Sequence, residues 1–399
     1  MSIIGIGEEG ISGLSRNARS LIGQAEHVFG AVRHLKLAEP LIQGISHSWP
    51  SPFDAAMTDV LALRGRKVCV LASGDPFFYG VGTTLLRHVK PEETLTIPVP
   101  SSLSLAASRL GWPLQDTDCL ALHGRPLNSL YPLLFDKNRI IALSEGSETP
   151  AQIAALLSEA GFPRSVLTVL EALGGENERI RRIKADQFNL KDINPLNIVG
   201  IELEAAENAR IIPLAGGLAD HLFEHDGQIT KREIRALTVS ALAPCKGWLL
   251  WDIGAGSGSV SIEWLLCDKS LKAVAIEADP VRMERVRRNA FSFGVSRLQT
   301  VLGTAPDALA GLPEPDCVFI GGGGSDPGVL DAAIQALKPG GRLVANAVTL
   351  EMEQLLLAYY ARLGGTLSRF EITRATQIGS MTGWRPAMPI TQWIWNKAR

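Results

Sequence analysis

The chain has 399 residues, enough for two or three domains that each bury a core, so a single small module is excluded. Apolar residues make up 46% and charged residues 20%, which excludes a disordered or fibrous chain. Lys and Arg total 39 against 41 Asp and Glu, so no net positive field draws the chain to nucleic acid or an acidic membrane, and an anionic partner must be held by local cations.

Through the first two hundred residues short β-branched runs alternate with amphipathic stretches, the pattern of α/β layers. Strands are expected at 2–6, 27–32, 67–72, 94–99 and 119–122, and helices at 15–25, 53–63, 83–88 and 102–110. A second lobe begins near 139–143. Its helix, 151–160, is announced by Thr149 as N-cap, Pro150 in the first turn and Gln152 at the capping-box position, and Gly161 closes it. Strands at 165–170 and 197–203 follow. The periodicity then fades, and a linker at 206–217 is expected to divide residues 1–205, in two lobes of about 1–125 and 126–205, from residues 218–399. Past it, Thr230-Lys231-Arg232-Glu233 reads as a capping box, with Ile234, Leu237, Ala241 and Leu242 as the apolar stripe of its helix. Runs at 248–253, 272–276, 298–302, 317–320 and 341–347 give the βαβ rhythm of a mostly parallel sheet.

No run reaches the roughly 20 apolar residues of a membrane span, and Met1 leads into Ile3-Ile4-Gly5 without a basic leader, so a cytoplasmic chain without a membrane partner is expected. Cys69, Cys119, Cys245, Cys267 and Cys317 are odd in number and form no CxxC pair, which argues against a disulfide framework and a zinc ribbon. His221 and His225 are four apart but lack a third ligand, so no metal is expected.

The most specific motif is Trp251-Asp252-Ile253-Gly254-Ala255-Gly256-Ser257-Gly258, which leaves an expected strand and enters an expected helix. Its glycines let the backbone turn and approach a ligand, while the helix start offers free N–H groups. Glu277 closes the next strand 19 residues beyond Gly258, where a carboxylate suits ribose hydroxyls. A lone glycine run is as readily a structural turn; strand, loop, helix and spaced acid together point to a nucleoside ligand. The GxGxG spacing and Asp252 favour S-adenosylmethionine over a dinucleotide. Ala305 falls near where adenine belongs, and the four glycines at 321–324 leave room at the sheet's carboxyl edge for a large substrate. No Asn/Asp-Pro-Pro-aromatic run is present there, which disfavours base or amide N-methylation.

In the first half, Gly5-Ile6-Gly7-Glu8-Glu9-Gly10 ends one strand and Ser73-Gly74-Asp75-Pro76-Phe77-Phe78-Tyr79-Gly80 ends another. A Gly-Asp-Pro turn followed by aromatics suits a flat adenine or a sulfonium, although a Pro-terminated turn over an aromatic core has the same sequence.

With Pro100-Ser101-Ser102, these loops resemble the tetrapyrrole methylase family, which binds S-adenosylmethionine between two α/β lobes. Runs 30–35, 122–126 and 170–175, with 178–180, are similar to its precorrin-6Y branch. The 251–258 loop, Glu277 and Ala305 resemble the class I S-adenosylmethionine-dependent methyltransferases, and 217–237 is similar to the entry of the C-terminal half in fused members of that branch. The resemblance covers essentially the whole chain. It implies an α/β fold in which a two-lobed tetrapyrrole methylase domain precedes a class I Rossmann-like domain with a mostly parallel sheet. It further implies C-methylation of precorrin-6Y at meso carbons 5 and 15, with loss of carbon dioxide from the acetate at ring carbon 12, in cobalamin biosynthesis.

Two S-adenosylmethionine sites per chain are implied, one at Gly5, Gly7, Gly74, Asp75, Pro76, Phe77, Ser101 and Ser102, the other at Thr230, Gly254, Ala255, Gly256, Ser257, Gly258, Glu277 and Ala305. Many relatives carry Gly-x-Gly-Pro-Gly-Asp at the first loop, so the Asp role does not transfer to Glu8; Thr304 stands where relatives often have Asp. The implied substrate is a polycarboxylate corrin precursor, for which Arg33, His34 and Arg125 in the first half and Lys231, Arg235, Arg374 and Arg385 in the second are candidate cations. Each taken singly is better read as a solvated charge. Spacing names no catalytic acid or base, and a homo-oligomer is expected. Two other readings stay open: a two-site methylase acting on another tetrapyrrole, and a methyltransferase in which one half only senses cofactor or scaffolds partners. Cofactors bound per chain separate them.

Overall fold

Ile3, Ile4 and Ile6 are fully buried, as are Val70 and Leu71, because the strands that carry them lie inside a parallel sheet covered on both faces. That sheet, in the order Ile45–Ser48, His27–Gly30, Val68–Ser73, Ser2–Ile6, Leu95–Ile97, is parallel throughout. Burying each such side chain contributes roughly 1.5–3 kcal/mol. The computed structural model describes residues 1–50 and 55–399. The expected helix 53–63 is seen as Ala55–Ala62, and its start at Phe53 and Asp54 lies outside the described residues. Edge strand Ile45–Ser48 was not expected, since it buries almost nothing.

The expected strand 119–122 does not join this sheet. As Asp118–Ala121 it opens a second one, ordered Asp118–Ala121, Arg139–Leu143, Asn197–Glu202, Val166–Glu171, Arg179–Lys184, in which only the first pair is parallel. The helix of this lobe, Thr149–Glu159, begins at Thr149 itself. The hydroxyl of Thr149 accepts from the amides of Glu145 and Gly146, at 3.2 and 3.3 Å, and so fastens the incoming loop instead of capping the helix.

The chain divides into two compact units, Met1–Leu127 with Leu133–Arg210, and Asn128–Pro132 with Ile211–Arg399. Ile212 and Leu218 are buried in the core of the second unit. Its seven-stranded sheet runs Gln299–Leu302, Lys272–Glu277, Leu249–Ile253, Cys317–Ile320, Arg342–Ala347, Ile390–Asn396, Thr366–Phe370. The first five strands are parallel and the last two pair antiparallel. A separate hairpin, Thr373–Ile378 with Met381–Pro386, connects the final pair.

Helix Arg232–Leu242 has Lys231 at its N-cap and no side-chain cap, so the expected capping box at Thr230 does not form. Its buried face holds Ile234, Arg235, Thr238, Val239 and Leu242, whereas Leu237 is 41% exposed. The helix is rotated to bury Arg235, which meets two acids inside the unit. No described helix is long and apolar enough to cross a membrane.

Candidate functional site

In the second unit the carboxyl ends of the five parallel strands open onto a cavity of about 800 Å3. Loops 253–257, 277–278, 303–305, 321–323 and 348–349 form its floor, and Phe370, Ile372 and Met388, flanking the hairpin, form a wall. The glycine loop is shaped by close approach. At Gly254, φ is +70° and a Cβ would fall 2.3 Å from the carbonyl oxygen of Gly322. Gly256, with φ at +58°, is different: a Cβ there meets nothing nearer than 3.8 Å, so its open side belongs to the cavity.

Glu277 is 7% exposed. It fixes the loop with one oxygen, which accepts the Gly256 amide at 2.7 Å, while the other accepts the Asp279 amide at 3.1 Å. Each oxygen retains acceptor capacity for a hydroxyl pair. Ser257 lines the cavity with its hydroxyl buried and unpartnered among the described residues, and Gly258 is the N-cap of helix Ser259–Cys267. Ala255, Ala305 and Thr230 also line the cavity. A glycine cradle, a spaced carboxylate and an orphan hydroxyl fit the nucleoside part of S-adenosylmethionine.

Asp252 lies beneath this loop, 1% exposed, with one oxygen accepting from the Ser261 hydroxyl at 2.5 Å and amide at 3.1 Å. Burial, with the charge of Glu277 adding to it, pushes its carboxyl from 3.8 up to about 6. The folded state therefore prefers the protonated form; the associated stability is full below about pH 4 and is lost as pH rises through 6, a fall of about 3 kcal/mol. Asp252→Asn is expected to flatten that slope in urea titrations between pH 4 and 7, and parallel slopes for variant and wild type would refute the assignment.

The structure separates the candidate cations. Lys231 and Arg374 line the cavity, Arg374 paired with Glu233. Arg385 is exposed opposite Arg374 in the hairpin register and is not a lining residue. Arg235 is fully buried, bound to Glu263 at 2.5 Å and Asp220 at 3.1 Å, and gives two further protons to the carbonyls of Thr230 and Leu218. With its side chain 0% exposed it presents no donor to a substrate, so the expectation for Arg235 is corrected: it anchors the segment that carries Thr230. Arg282, paired with Asp226 at 3.0 Å, lines the cavity and was missed, because on helix Pro280–Ser292 it reads as a solvated charge.

In the first unit three loops meet backbone to backbone after strands Ser2–Ile6, Val68–Ser73 and Leu95–Ile97. A Cβ on Gly5 would lie 1.9 Å from the Gly74 carbonyl oxygen, and one on Gly74, whose φ is +58°, 2.9 Å from the Ser101 Cα. Gly7 continues the first loop. Asp75 accepts the Phe77 amide at 2.8 Å across Pro76, and Phe77, Phe78 and Tyr79 stay 40–43% exposed. Ser101 caps helix Ser102–Leu110 by accepting the Ser104 amide at 3.1 Å.

Arg33 pairs with Glu8 and reaches the Ser73 hydroxyl at 3.3 Å, while Arg125 stacks on Tyr79 at 5.5 Å, so two cations flank the 73–80 turn. His34 is corrected. It is 7% exposed, its Nε2 lies 2.9 Å from the Arg33 guanidinium and must accept from it, and burial pushes its pKa down to about 4. A neutral ring orients Arg33 but pairs with no carboxylate.

Residues 1–189 match the family described as tetrapyrrole (corrin/porphyrin) methylases, and residues 221–397 match the precorrin methyltransferase domain. A Sinorhizobium sp protein named precorrin-6Y C(5,15)-methyltransferase (decarboxylating) is 57% identical over 397 residues, covering 100% of this chain and 96% of its own. A Mycobacterium tuberculosis protein of the same name is 39% identical over 395 residues, 98% of each chain. A Pyrobaculum aerophilum protein named probable cobalt-precorrin-6B C(15)-methyltransferase (decarboxylating) is 36% identical over 167 residues, 41% of this chain and 85% of its own.

Proposed function

Since the chain belongs to the family of precorrin-6Y C(5,15)-methyltransferases (decarboxylating), we propose that its first unit methylates meso carbon 5 of precorrin-6Y and its second methylates meso carbon 15 and releases carbon dioxide from the acetate at ring carbon 12. Each unit works with its own S-adenosylmethionine, which supplies an electrophilic methyl group. The observation that carries this reading is the composition of the second-unit cavity. The glycine loop and Glu277 form one part, and Lys231, Arg282 and Arg374 line the same cavity, so a nucleoside and a polycarboxylate can be recognised in one site. Its volume, about 800 Å3, exceeds what one nucleoside fills. The Pyrobaculum aerophilum relative, named for methylation at carbon 15 and decarboxylation together while matching 41% of this chain, supports placing both steps in one unit.

Methyl transfer from a sulfonium is an in-line displacement in which charge is dispersed, so alignment and a dry site matter most. Ile253, Val260, Ile276 and Phe319 supply apolar walls, the Gly256 amide is held by Glu277, and the three cations fix the macrocycle's carboxylates. In the first unit, Gly5, Gly74 and Ser101 set the cofactor loops and Arg33 and Arg125 take the carboxylates. We take 206–217 as the segment that joins the two units, since their division at Arg210 and Ile211 falls within it although Ile212 packs into the second core, and the working form as a homo-oligomer, supported by Ile378, Met381 and Trp384, which expose 62–75% of their surface on the hairpin.

Incubation of the full chain with precorrin-6Y and S-adenosylmethionine is expected to add two methyl groups and remove one carbon dioxide by mass. A product that keeps every carboxyl group would overturn the reading.

A further inference from the structure

Methylating a meso carbon and decarboxylating an acetate have opposite proton demands, and the cavity holds few groups able to meet them. The titratable residues lining it are Lys231, Arg282, Arg374, Glu277 and Asp326. The three cations cannot accept a proton, and no histidine, cysteine or tyrosine is among the described lining residues. Of the two carboxylates, Glu277 has an amide on each oxygen. Asp326 is exposed to the cavity, and no hydrogen bond or ion pair engages its carboxylate among the described residues. In a site built for a polyanion, a free carboxylate opposes binding, which calls for a chemical reason. Its position gives one. Asp326 ends the glycine loop that packs on the cofactor cradle: the Gly321 amide donates to the Ile253 carbonyl at 3.1 Å, and Gly322 abuts Gly254.

We propose that Asp326 is the catalytic acid–base of the second unit, carrying one proton from meso carbon 15 to the acetate methylene at ring carbon 12; the proposal rests on the functional reading above. The meso carbon forms its bond to the methyl group as the methyl–sulfur bond breaks and its electron pair stays on sulfur. The ring is left cationic, with hydrogen and methyl on the same carbon. Asp326 takes that proton, and the C–H pair restores conjugation. The acetate C–C bond then breaks, its electrons enter the ring system, carbon dioxide leaves, and protonated Asp326 gives its proton to the methylene carbon, which becomes a methyl. The two steps sum to no net proton uptake or release.

The test uses the full chain and precorrin-6Y carrying deuterium at meso carbon 15, in ordinary water under single turnover. Wild type is expected to deliver deuterium into the new methyl at ring carbon 12. Asp326→Asn is expected to slow carbon dioxide release at least about 100-fold, with cofactor affinity and methylation at carbon 5 unchanged, and Asp326→Glu to recover part of the rate. Wild type that releases carbon dioxide while leaving all deuterium in water, or an Asn variant within about threefold of wild type, overturns the relay alone. Wild type that releases no carbon dioxide overturns the functional reading and the relay with it.

Discussion

In Gly256→Val the number of S-adenosylmethionine molecules bound per chain is expected to fall from the proposed two to one. A valine at φ +58° carries left-handed strain of about 1–2 kcal/mol, which a domain of this size tolerates. What it does not leave intact is the ligand surface. The Cβ faces open space, with the Gln228 carbonyl at 3.8 Å, so the branched side chain fills the cavity beside the amide that Glu277 holds at 2.7 Å. Gly74→Val does the same for the first unit by another route: its Cβ would fall 2.9 Å from the Ser101 Cα, forcing two of the three loops apart. The changes sit in different units with separate cores, so their effects are expected to be nearly independent. Calorimetric titration is expected to count one site in each variant and none in the double variant; two sites surviving in either would mean that these glycines are not the cradles.

The largest expected loss of stability comes from Glu263→Gln. Glu263 is 2% exposed and accepts from Arg235 at 2.5 Å and from the amides of Gly217 and Leu218 at 2.7 and 2.8 Å. The Arg235 guanidinium lies 4.6 Å from the Phe223 ring centre and has no route to solvent. Removing the acid leaves a buried cation only half compensated by Asp220, which costs about 3–5 kcal/mol. Arg235 also holds the Thr230 carbonyl at 2.5 Å, so the cavity rim loosens with the core. A urea midpoint shift equivalent to less than about 1 kcal/mol would show that the pair is not the anchor. Pairing Glu263→Gln with Arg235→Met is expected to cost less than the two changes summed, because no buried cation is then left short of its acid, and Asp220, 26% exposed, reaches solvent.

The glycine loop and Glu277 were legible because a positive φ and a tight backbone approach are local demands that only glycine meets without strain, and they leave a mark at fixed spacing. The strands beyond residue 347 were not. Thr373–Ile378 and Met381–Pro386 are largely exposed on both faces, so no apolar alternation marks them. Arg235 and His34 misled for one reason: burial and the partner that tames a charge are tertiary facts, and Glu263 is 28 residues away in sequence. Thr149 and Thr230 have capping-box sequence, but the first fastens a loop and the second gives its carbonyl to Arg235. Asp326 was hidden because the glycines before it read as empty space, and only the cavity shows which carboxylates face it without a partner.

The division of labour between the two units is tested most directly by the mass of the product that Gly256→Val makes from precorrin-6Y and excess S-adenosylmethionine. With only the first unit working, the expected product carries one new methyl group, at carbon 5, and retains every carboxyl group. A product that has lost carbon dioxide, or that carries two new methyl groups, would contradict the assignment of methylation at carbon 15 and decarboxylation to the second unit.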